Sequence, residues 1–318
     1  MLSLILINQT ILIKVQIRGQ FLSEQQQKCG YVALIGRPNV GKSTLLNHVL
    51  GQKISITSRK PQTTRRNLIG VDTVDANQAI YVDTPGIHQQ TERELNRYMV
   101  SNATSALSDV DLLVVLIEAG KIQDGDHHVL KLLAQHDVPK FAVISKVDLV
   151  KDKTALLPQM QALHAMDLFD EIVPISALKQ DGVDSFRQHV FQRLPMGKHF
   201  FADDEVTDQP ERFLVAEIVR EKLMRQLGDE IPHSATVVIE SFKQNEKITE
   251  IHADIYVERD GQKRIVIGKA GARMKLIGQE ARKDIEHLLD HKVMLHLWVK
   301  VRKGWTNNVG QMKHLGYD

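Results

Sequence analysis

Eight residues, Gly36-Arg37-Pro38-Asn39-Val40-Gly41-Lys42-Ser43, restrict the fold of this chain more than any other stretch. They fit the pattern G-x-x-x-x-G-K-[ST] and stand between the apolar run Val32-Ala33-Leu34-Ile35 and a helical pattern that begins at Thr44. Strand, glycine-containing loop and helix N-terminus in that order make a phosphate cradle. The glycines let backbone N–H groups turn inward, the lysine reaches the β- and γ-oxygens, the serine hydroxyl can ligate Mg2+, and the helix dipole favours the anion. The motif therefore implies a bound nucleoside triphosphate and an α/β domain of the P-loop NTPase kind, a doubly wound and mostly parallel sheet.

The base is indicated further along. Ser145-Lys146-Val147-Asp148 follows the apolar run Phe141-Ala142-Val143-Ile144, so Asp148 stands just past a strand end. A carboxylate there accepts two N–H bonds from the Watson–Crick edge of guanine, whereas adenine would set a lone pair against the charge. Ser176-Ala177-Leu178 ends the next strand, Ile172 to Ile175, and its turn can aim a backbone N–H at the guanine oxygen. The usual tetrapeptide is Asn-Lys-x-Asp. Ser145 replaces the Asn, leaving a hydroxyl to bond the phosphate loop and no amide for the base.

Two segments between these motifs are placed to sense the γ-phosphate. Asp83-Thr84-Pro85-Gly86 closes the strand Ala79-Ile80-Tyr81-Val82; Asp83 would hold Mg2+ through water and the Gly86 N–H would meet the phosphate. Upstream, Pro61-Gln62-Thr63-Thr64-Arg65-Arg66 is a polar loop in which Thr64, ahead of Thr63, can ligate Mg2+ only while GTP is present. Lys42, Thr64, Asp83 and Gly86 are the catalytic candidates; Ser43, Thr64 and Asp83 are the metal candidates.

These motifs, with the stretch Gly51 to Lys60 and GRPNVGKSTLLN, PQTTR and DTPG, resemble the TRAFAC-class GTPases and more closely the Era family. The resemblance spans nearly everything from Gly30 to Asp318. It implies a GTP-hydrolysing switch that binds small-subunit, 16S-type ribosomal RNA and assists small-subunit assembly. It also matches Asn39 to a residue that coordinates K+ in related potassium-activated GTPases, with structural support of the loop as the alternative. Ile87 stands where a Ras-like enzyme has its water-orienting Gln, so basal turnover is expected on the order of 10⁻⁴ to 10⁻² s⁻¹.

The 318 residues suggest two domains. Residues 28–195 read as the G domain and residues 196–210, with Asp203-Asp204-Glu205 and Pro210, as a linker. From 211 to 318 the pattern becomes that of a KH domain with a C-terminal tail. Val215, Val219, Leu223 and Leu227 form a helical stripe ending at Gly228; Val237/Ile239 and Ile251/Ala253/Ile255/Val257 alternate as strands. Val266-Ile267-Gly268-Lys269-Ala270-Gly271 leads into a helix with Met274, Ile277, Ala281, Ile285 and Leu288 on one side, and a strand at Val293-Met294-Leu295 closes the unit. In KH domains of this αββααβ order the GxxG loop lies against single-stranded nucleotides.

Charge agrees. Between Lys263 and Lys303 there are 11 Lys/Arg and 4 Asp/Glu, a formal +7, while the whole chain is +2. Gly268, Lys269, Ala270, Gly271, Arg273 and Lys275 are the RNA candidates, with Arg282 and Lys283 equally read as a solvated face. Of the two tryptophans, Trp298 is expected in the core and Trp305, beside Gly304, as a base-stacking platform.

A single cysteine, Cys29, excludes intrachain disulfides and suggests a reducing compartment. The 14 histidines show no metal-ligand spacing along the chain. Residues 1–27 read as a disordered extension, with a targeting or membrane-touching segment as the second reading. A cytoplasmic monomer is expected, with peripheral association at the inner face of the cell membrane held beside it. Two other functions stay open: a nucleotide-gated RNA-binding module with incidental hydrolysis, and a potassium-activated tRNA-modification GTPase, against which the KH pattern argues.

Overall fold

The computed structural model describes residues 27–58, 60, 62–87, 93–120, 122–227 and 234–317. The first 26 residues and Gly228, the expected helix stop, lie outside them.

The first half of the chain forms a six-stranded sheet. Its strands are β1 (Lys28–Gly36), β2 (Leu68–Val74), β3 (Asn77–Asp83), β4 (Leu112–Glu118), β5 (Lys140–Ser145) and β6 (Glu171–Pro174), in the order β2-β3-β1-β4-β5-β6. Only the β2–β3 pair is antiparallel. The central strands are continuous apolar runs because both faces are covered. Val32, Leu34, Val114 and Val143 pack toward α1 (Lys42–Leu50) and α5 (Val183–Arg193). Ala33, Ile35, Val115 and Ile144 pack the other way, toward α2 (Glu94–Ser105), α3 (Asp124–Leu133) and α4 (Leu157–His164). Doubly wound sheets bind ligands beyond the C-terminal ends of their strands, and here those ends carry all the nucleotide motifs.

The second half places α6 (Glu211–Gln226), α7 (Asp260–Ile267) and α8 (Ala272–Leu289) on one face of a three-stranded sheet, β7 (Thr236–Gln244), β8 (Thr249–Val257) and β9 (Val293–Val301). β7 is antiparallel to β8 and β9 is parallel to it. Period-two alternation sends Ile251, Ala253, Ile255 and Val257 into the core against Val219, Leu223, Ile277 and Ile285. The other face carries none of these three helices; on it Val238 and Tyr256 pack against the cluster of Trp305, Met312 and Tyr317. A short α9 (Val309–His314) follows a turn at Trp305–Asn307.

Residues 196–210 do not hang free. Met196 bridges Lys28, the Gln78 side chain accepts from the N–H groups of Phe200 and Phe201 at 2.9 and 3.1 Å, and the Val206 carbonyl accepts from the Val71 N–H at 2.8 Å. The stretch runs along the β2–β3 side of the first sheet and delivers the chain to α6.

Candidate functional site

The phosphate loop joins β1 to α1. Gly36 and Gly41 have φ of 152° and 106°, and Asn39 sits at 65°, a left-handed conformation that Asn tolerates. A Cβ on Gly36 would come within 2.6 Å of the Leu116 carbonyl oxygen, so glycine is required there by space as well. Pro38 and Val40 complete the loop, with Val40 fully buried under it. The Lys42 ammonium donates to the Gly36 and Arg37 carbonyls, both at 3.1 Å. Burial pushes its pKa down to about 8, opposed by Asp83 and reinforced by Arg37. Arg37 reaches away from the loop to Asp126 at 2.7 Å, over Gly125, where any Cβ would strike its side chain.

The metal candidates converge. The hydroxyls of Ser43 and Thr64 lie 2.9 Å apart, and one Asp83 carboxylate oxygen accepts from Ser43 at 2.6 Å and from Thr64 at 3.4 Å. The other, Oδ1, is buried with no protein partner. Burial raises the Asp83 pKa against the pull of Lys42 and the hydroxyls. Two hydroxyl oxygens at about the cis edge of a Mg2+ octahedron, beside an unsatisfied carboxylate oxygen, fit a hard dication. A fourth oxygen escaped sequence reasoning: Ser55 donates to Asp83 at 2.9 Å. Asn47 of α1 holds it there, accepting from the Ile54 and Ser55 N–H groups at 3.1 and 2.9 Å and donating to the Ser55 carbonyl at 2.7 Å.

Gly86 lies against the loop so closely that a Cβ would meet Pro38 nitrogen at 2.6 Å, while Thr84 donates to the Leu34 carbonyl at 2.8 Å and Pro85 lies buried between them. Ile87 is 2% exposed in the sheet core, with its N–H on the Gly36 carbonyl. It presents nothing to a water.

In the base pocket, Ser176 donates to Asp148 at 2.6 Å, so the Ser-Ala turn orients the carboxylate with its side chain as well as bordering it. Val147 is buried and bonds the Ile175 carbonyl; Ala177 and the exposed Leu178 continue the turn. Lys146 adopts a left-handed φ of 59° and pairs with Glu118 at 2.9 Å, a partner not foreseen. The Ser145 hydroxyl donates to the Ile117 carbonyl at 3.3 Å instead of to the phosphate loop, correcting that expectation: a serine is too short to leave the end of β5.

The loop that carries Thr64 is fastened to the second half of the chain. Arg220 of α6 donates to the Thr63 carbonyl, and Thr63 itself donates to Lys60. Arg65, 3% exposed, donates to the Ala235 carbonyl at 3.0 Å and the Tyr317 hydroxyl at 2.8 Å. Arg66 lies over the Tyr317 ring at 4.8 Å. Burial lowers the Arg65 pKa; for Tyr317, burial acts upward but Arg65 and Arg220 outweigh it, and its pKa falls. Thr64 thus sits between the metal candidates and a cationic clamp anchored in the other sheet.

At the far end, Gly268 and Gly271 have φ of 75° and 77°, and Ala270 between them 50°. A Cβ on Gly268 would meet the Arg273 Cβ at 2.8 Å, whereas nothing lies within 4 Å of one on Gly271. Lys269, Ala270 and Lys275 are exposed or half-buried beside this opening. Arg273 donates to the Ile265 carbonyl and so pins the end of α7. Ile265 and Leu276, 46% and 41% exposed on either side of the loop, offer apolar surface that charge counting did not reveal.

Residues 31–146 match a family model described as a 50S ribosome-binding GTPase, and residues 230–306 match a KH domain model. GTPase Era of Azotobacter vinelandii is 52% identical over 92% of this chain and 98% of its own length. The chain belongs to the Era family of GTPases. Among solved structures, Era in complex with MgGDPNP and nucleotides 1506-1542 of 16S ribosomal RNA superposes with a TM-score of 0.88, at 38% identity, over 92% of this chain and 99% of that one. A point variant of Aquifex aeolicus Era bound to GDP.AlF4- gives 0.89, also at 38% identity, with the same two coverages. The P-loop GTPase fold followed by a KH domain, and GTP hydrolysis as the activity, are therefore established for this member.

The tryptophan assignments are reversed in this Era-family chain. Trp305 is fully buried: its indole donates to the Ser234 carbonyl at 3.0 Å and its ring stacks on Tyr317 at 5.7 Å. Gly304, at φ 66°, turns the chain so that Trp305 packs with Leu95 and Met99 of α2, between the two domains. Trp298 is 61% exposed. Strand alternation places it opposite Val299, on the face turned away from α6, α7 and α8. Trp305 is accordingly withdrawn as a base-stacking residue. Among the described residues no helix is long and apolar enough to cross a membrane.

Proposed function

We propose that this protein is a GTP-driven switch whose KH domain takes up a single-stranded segment of small-subunit, 16S-type ribosomal RNA and assists assembly of that subunit, acting as a cytoplasmic monomer. The observation that carries the reading is the double attachment of residues 63–66: Thr64 at the metal candidates, Arg65 and the Thr63 carbonyl in the KH half. Whatever holds or frees Thr64 also loads or unloads that clamp. The RNA assignment rests on the GxxG geometry, on the concentrated positive charge and on the solved complex of a whole-length relative with 16S ribosomal RNA. The family description naming the 50S particle covers only the G-domain residues 31–146, so it carries less weight for the RNA partner.

Ser43, Thr64 and Asp83 would hold Mg2+, which supplies charge neutralisation at the β- and γ-phosphates when bound. Lys42 moves from the Gly36 and Arg37 carbonyls to the phosphate oxygens. The N–H groups of the loop and of Gly86 face the same oxygens, so the chain stabilises charge that builds there. Asp148, oriented by Ser176, reads the guanine edge, with Lys146 and the Ala177 turn around the base. Since Ile87 holds no water, turnover is slow and the change of shape is the output. Asn39, exposed in the loop, is proposed to hold a K+ ion that assists the step. The test is the affinity of the full chain for a single-stranded 16S 3′ segment in its GDPNP and GDP states; tighter binding with GDPNP is expected.

A further inference from the structure

On the face of the KH sheet turned away from α6, α7 and α8, three side chains meet that belong to neither the nucleotide site nor the GxxG loop. β8 and β9 run parallel with His252 paired to His296, and Glu250 stands two residues before His252 on the same face. The Glu250 carboxylate oxygen Oε1 lies 2.9 Å from Nε2 of His252 and 3.8 Å from Nε2 of His296. The two imidazoles stack at 4.6 Å, and one donor atom from each of the three residues falls within 4.8 Å of the others.

Around a tetrahedral ion with ligands at about 2.0–2.1 Å, neighbouring ligand atoms are about 3.3–3.4 Å apart. The two Glu–His separations bracket that edge and the imidazole nitrogens lie within 4.8 Å of each other, so the set closes around an ion once the stacked rings turn out of parallel. Two imidazole nitrogens and one carboxylate oxygen select a borderline transition-metal dication over Mg2+ or Ca2+, which prefer oxygen. All three side chains are 38–40% exposed, so the site is open to entry and leaves coordination positions facing solvent. Those positions accept water or an anionic oxygen.

We propose that Glu250, His252 and His296 form a binding site for a transition-metal dication, Zn2+ in the first instance, on this face of the KH sheet. The site is invisible along the sequence because its ligands come from strands over forty residues apart and are joined only by the parallel register. It lies across the sheet from α8, which carries the start of the GxxG helix, so loading it should leave GTP binding unchanged.

The test uses the full-length protein in its GDP-bound form with excess Mg2+. Zn2+ is titrated in competition with a chromophoric chelator, and Cu2+ is titrated while tryptophan emission is followed. Trp298 is two residues from His296 on the same face and Trp305 is buried, so site-bound Cu2+ should quench Trp298 with one-to-one stoichiometry, and Trp298→Phe should abolish that component. His296→Ala and Glu250→Gln should each weaken Zn2+ by about tenfold or more. Equal Zn2+ affinity in wild type and in Glu250→Gln, a surface change that leaves both imidazoles and the fold intact, together with no loss in His296→Ala, would overturn the site and leave a hydrogen-bonded surface cluster. Quenching that persists unchanged in His252→Ala/His296→Ala would overturn it equally.

Discussion

Arg65→Ala separates the switch from the KH half without touching the nucleotide. The guanidinium makes two buried hydrogen bonds across the domains, to the Ala235 carbonyl and the Tyr317 hydroxyl. Hydrogen bonds from a charged donor contribute about 1.5–3 kcal/mol each, giving a ceiling of about 3–6 kcal/mol. Recovered hydration of a buried cation offsets part of this, as the downward pKa of Arg65 under burial indicates, and Tyr317 keeps its bond to Thr236 at 3.0 Å. A net loss of about 2–4 kcal/mol in domain docking remains. Coupling between two ligand sites typically amounts to about 1–3 kcal/mol, so the substitution is large enough to erase it. The assay is fluorescence anisotropy of a labelled single-stranded 16S 3′ segment with GDPNP-loaded and GDP-loaded protein. Arg65→Ala should bring the two affinities together while changing GDP affinity less than about threefold, and Arg65→Lys should fail to restore the difference because an ammonium lacks the planar guanidinium that lies over the Trp305 ring at 5.9 Å. A folded Arg65→Ala protein that keeps the wild-type ratio would refute the reasoning.

Lys42 gives a pH dependence whose sign is fixed: its folded pKa of about 8 lies below the ordinary 10.5, so the nucleotide-free folded state binds fewer protons than the unfolded chain in that window. Stability of the nucleotide-free protein should therefore rise through that range, while GDP affinity, which requires the ammonium, weakens by about tenfold from about pH 7 to about pH 9. Titration calorimetry would show proton uptake on binding; a Lys42→Arg protein with the same pH profile would contradict the assignment. Ser145→Asn should tighten GDP and GTP by about 0.5–1.5 kcal/mol, roughly two- to tenfold, with little change in guanine-over-adenine selectivity. Unchanged or weaker nucleotide titrations would mean that the Ser145 bond to Ile117 has no room for the amide. Single-turnover hydrolysis should be faster in KCl than in NaCl at equal ionic strength and lose that preference in Asn39→Asp. Equal rates in both salts would leave Asn39 a loop-shaping role alone.

Local sequence reveals whatever depends on contiguous residues. The phosphate loop needs eight neighbours in order, and β1 and α1 flank it as their apolar patterns require. The GxxG loop likewise declares itself through two glycines, both at positive φ, set between an apolar run and an apolar helix. Long-range partners are not legible in this way. Ser55 reaches Asp83 only because Asn47 clamps its backbone, and Arg65 meets Tyr317 across 252 positions, where no periodicity links them. Trp298 departs from the expected core position because alternation in β9 does not tell which face is covered: α6, α7 and α8 cover one, and the other is covered at Val238 and Tyr256 but not at Trp298. Trp305 departs from the expected exposure because Gly304 turns the indole inward between the domains, where a neighbouring glycine alone would suggest an open loop. The Glu250, His252 and His296 cluster requires the parallel pairing of β8 with β9.

The central claim, that a nucleotide switch governs an RNA-binding KH domain, is tested most directly by titrating a single-stranded 16S 3′ segment onto wild type and Gly268→Asp/Gly271→Asp, each loaded with GDPNP or GDP. Wild type should bind more tightly with GDPNP, by about 5- to 150-fold, with log affinity against log salt falling by about 0.7 per neutralised phosphate. The double variant, which sets two carboxylates in the loop where phosphate would lie, should lose RNA binding in both states and keep wild-type GDP affinity. Equal RNA affinity in the two nucleotide states of wild type, or undiminished binding by the double variant, would contradict the account.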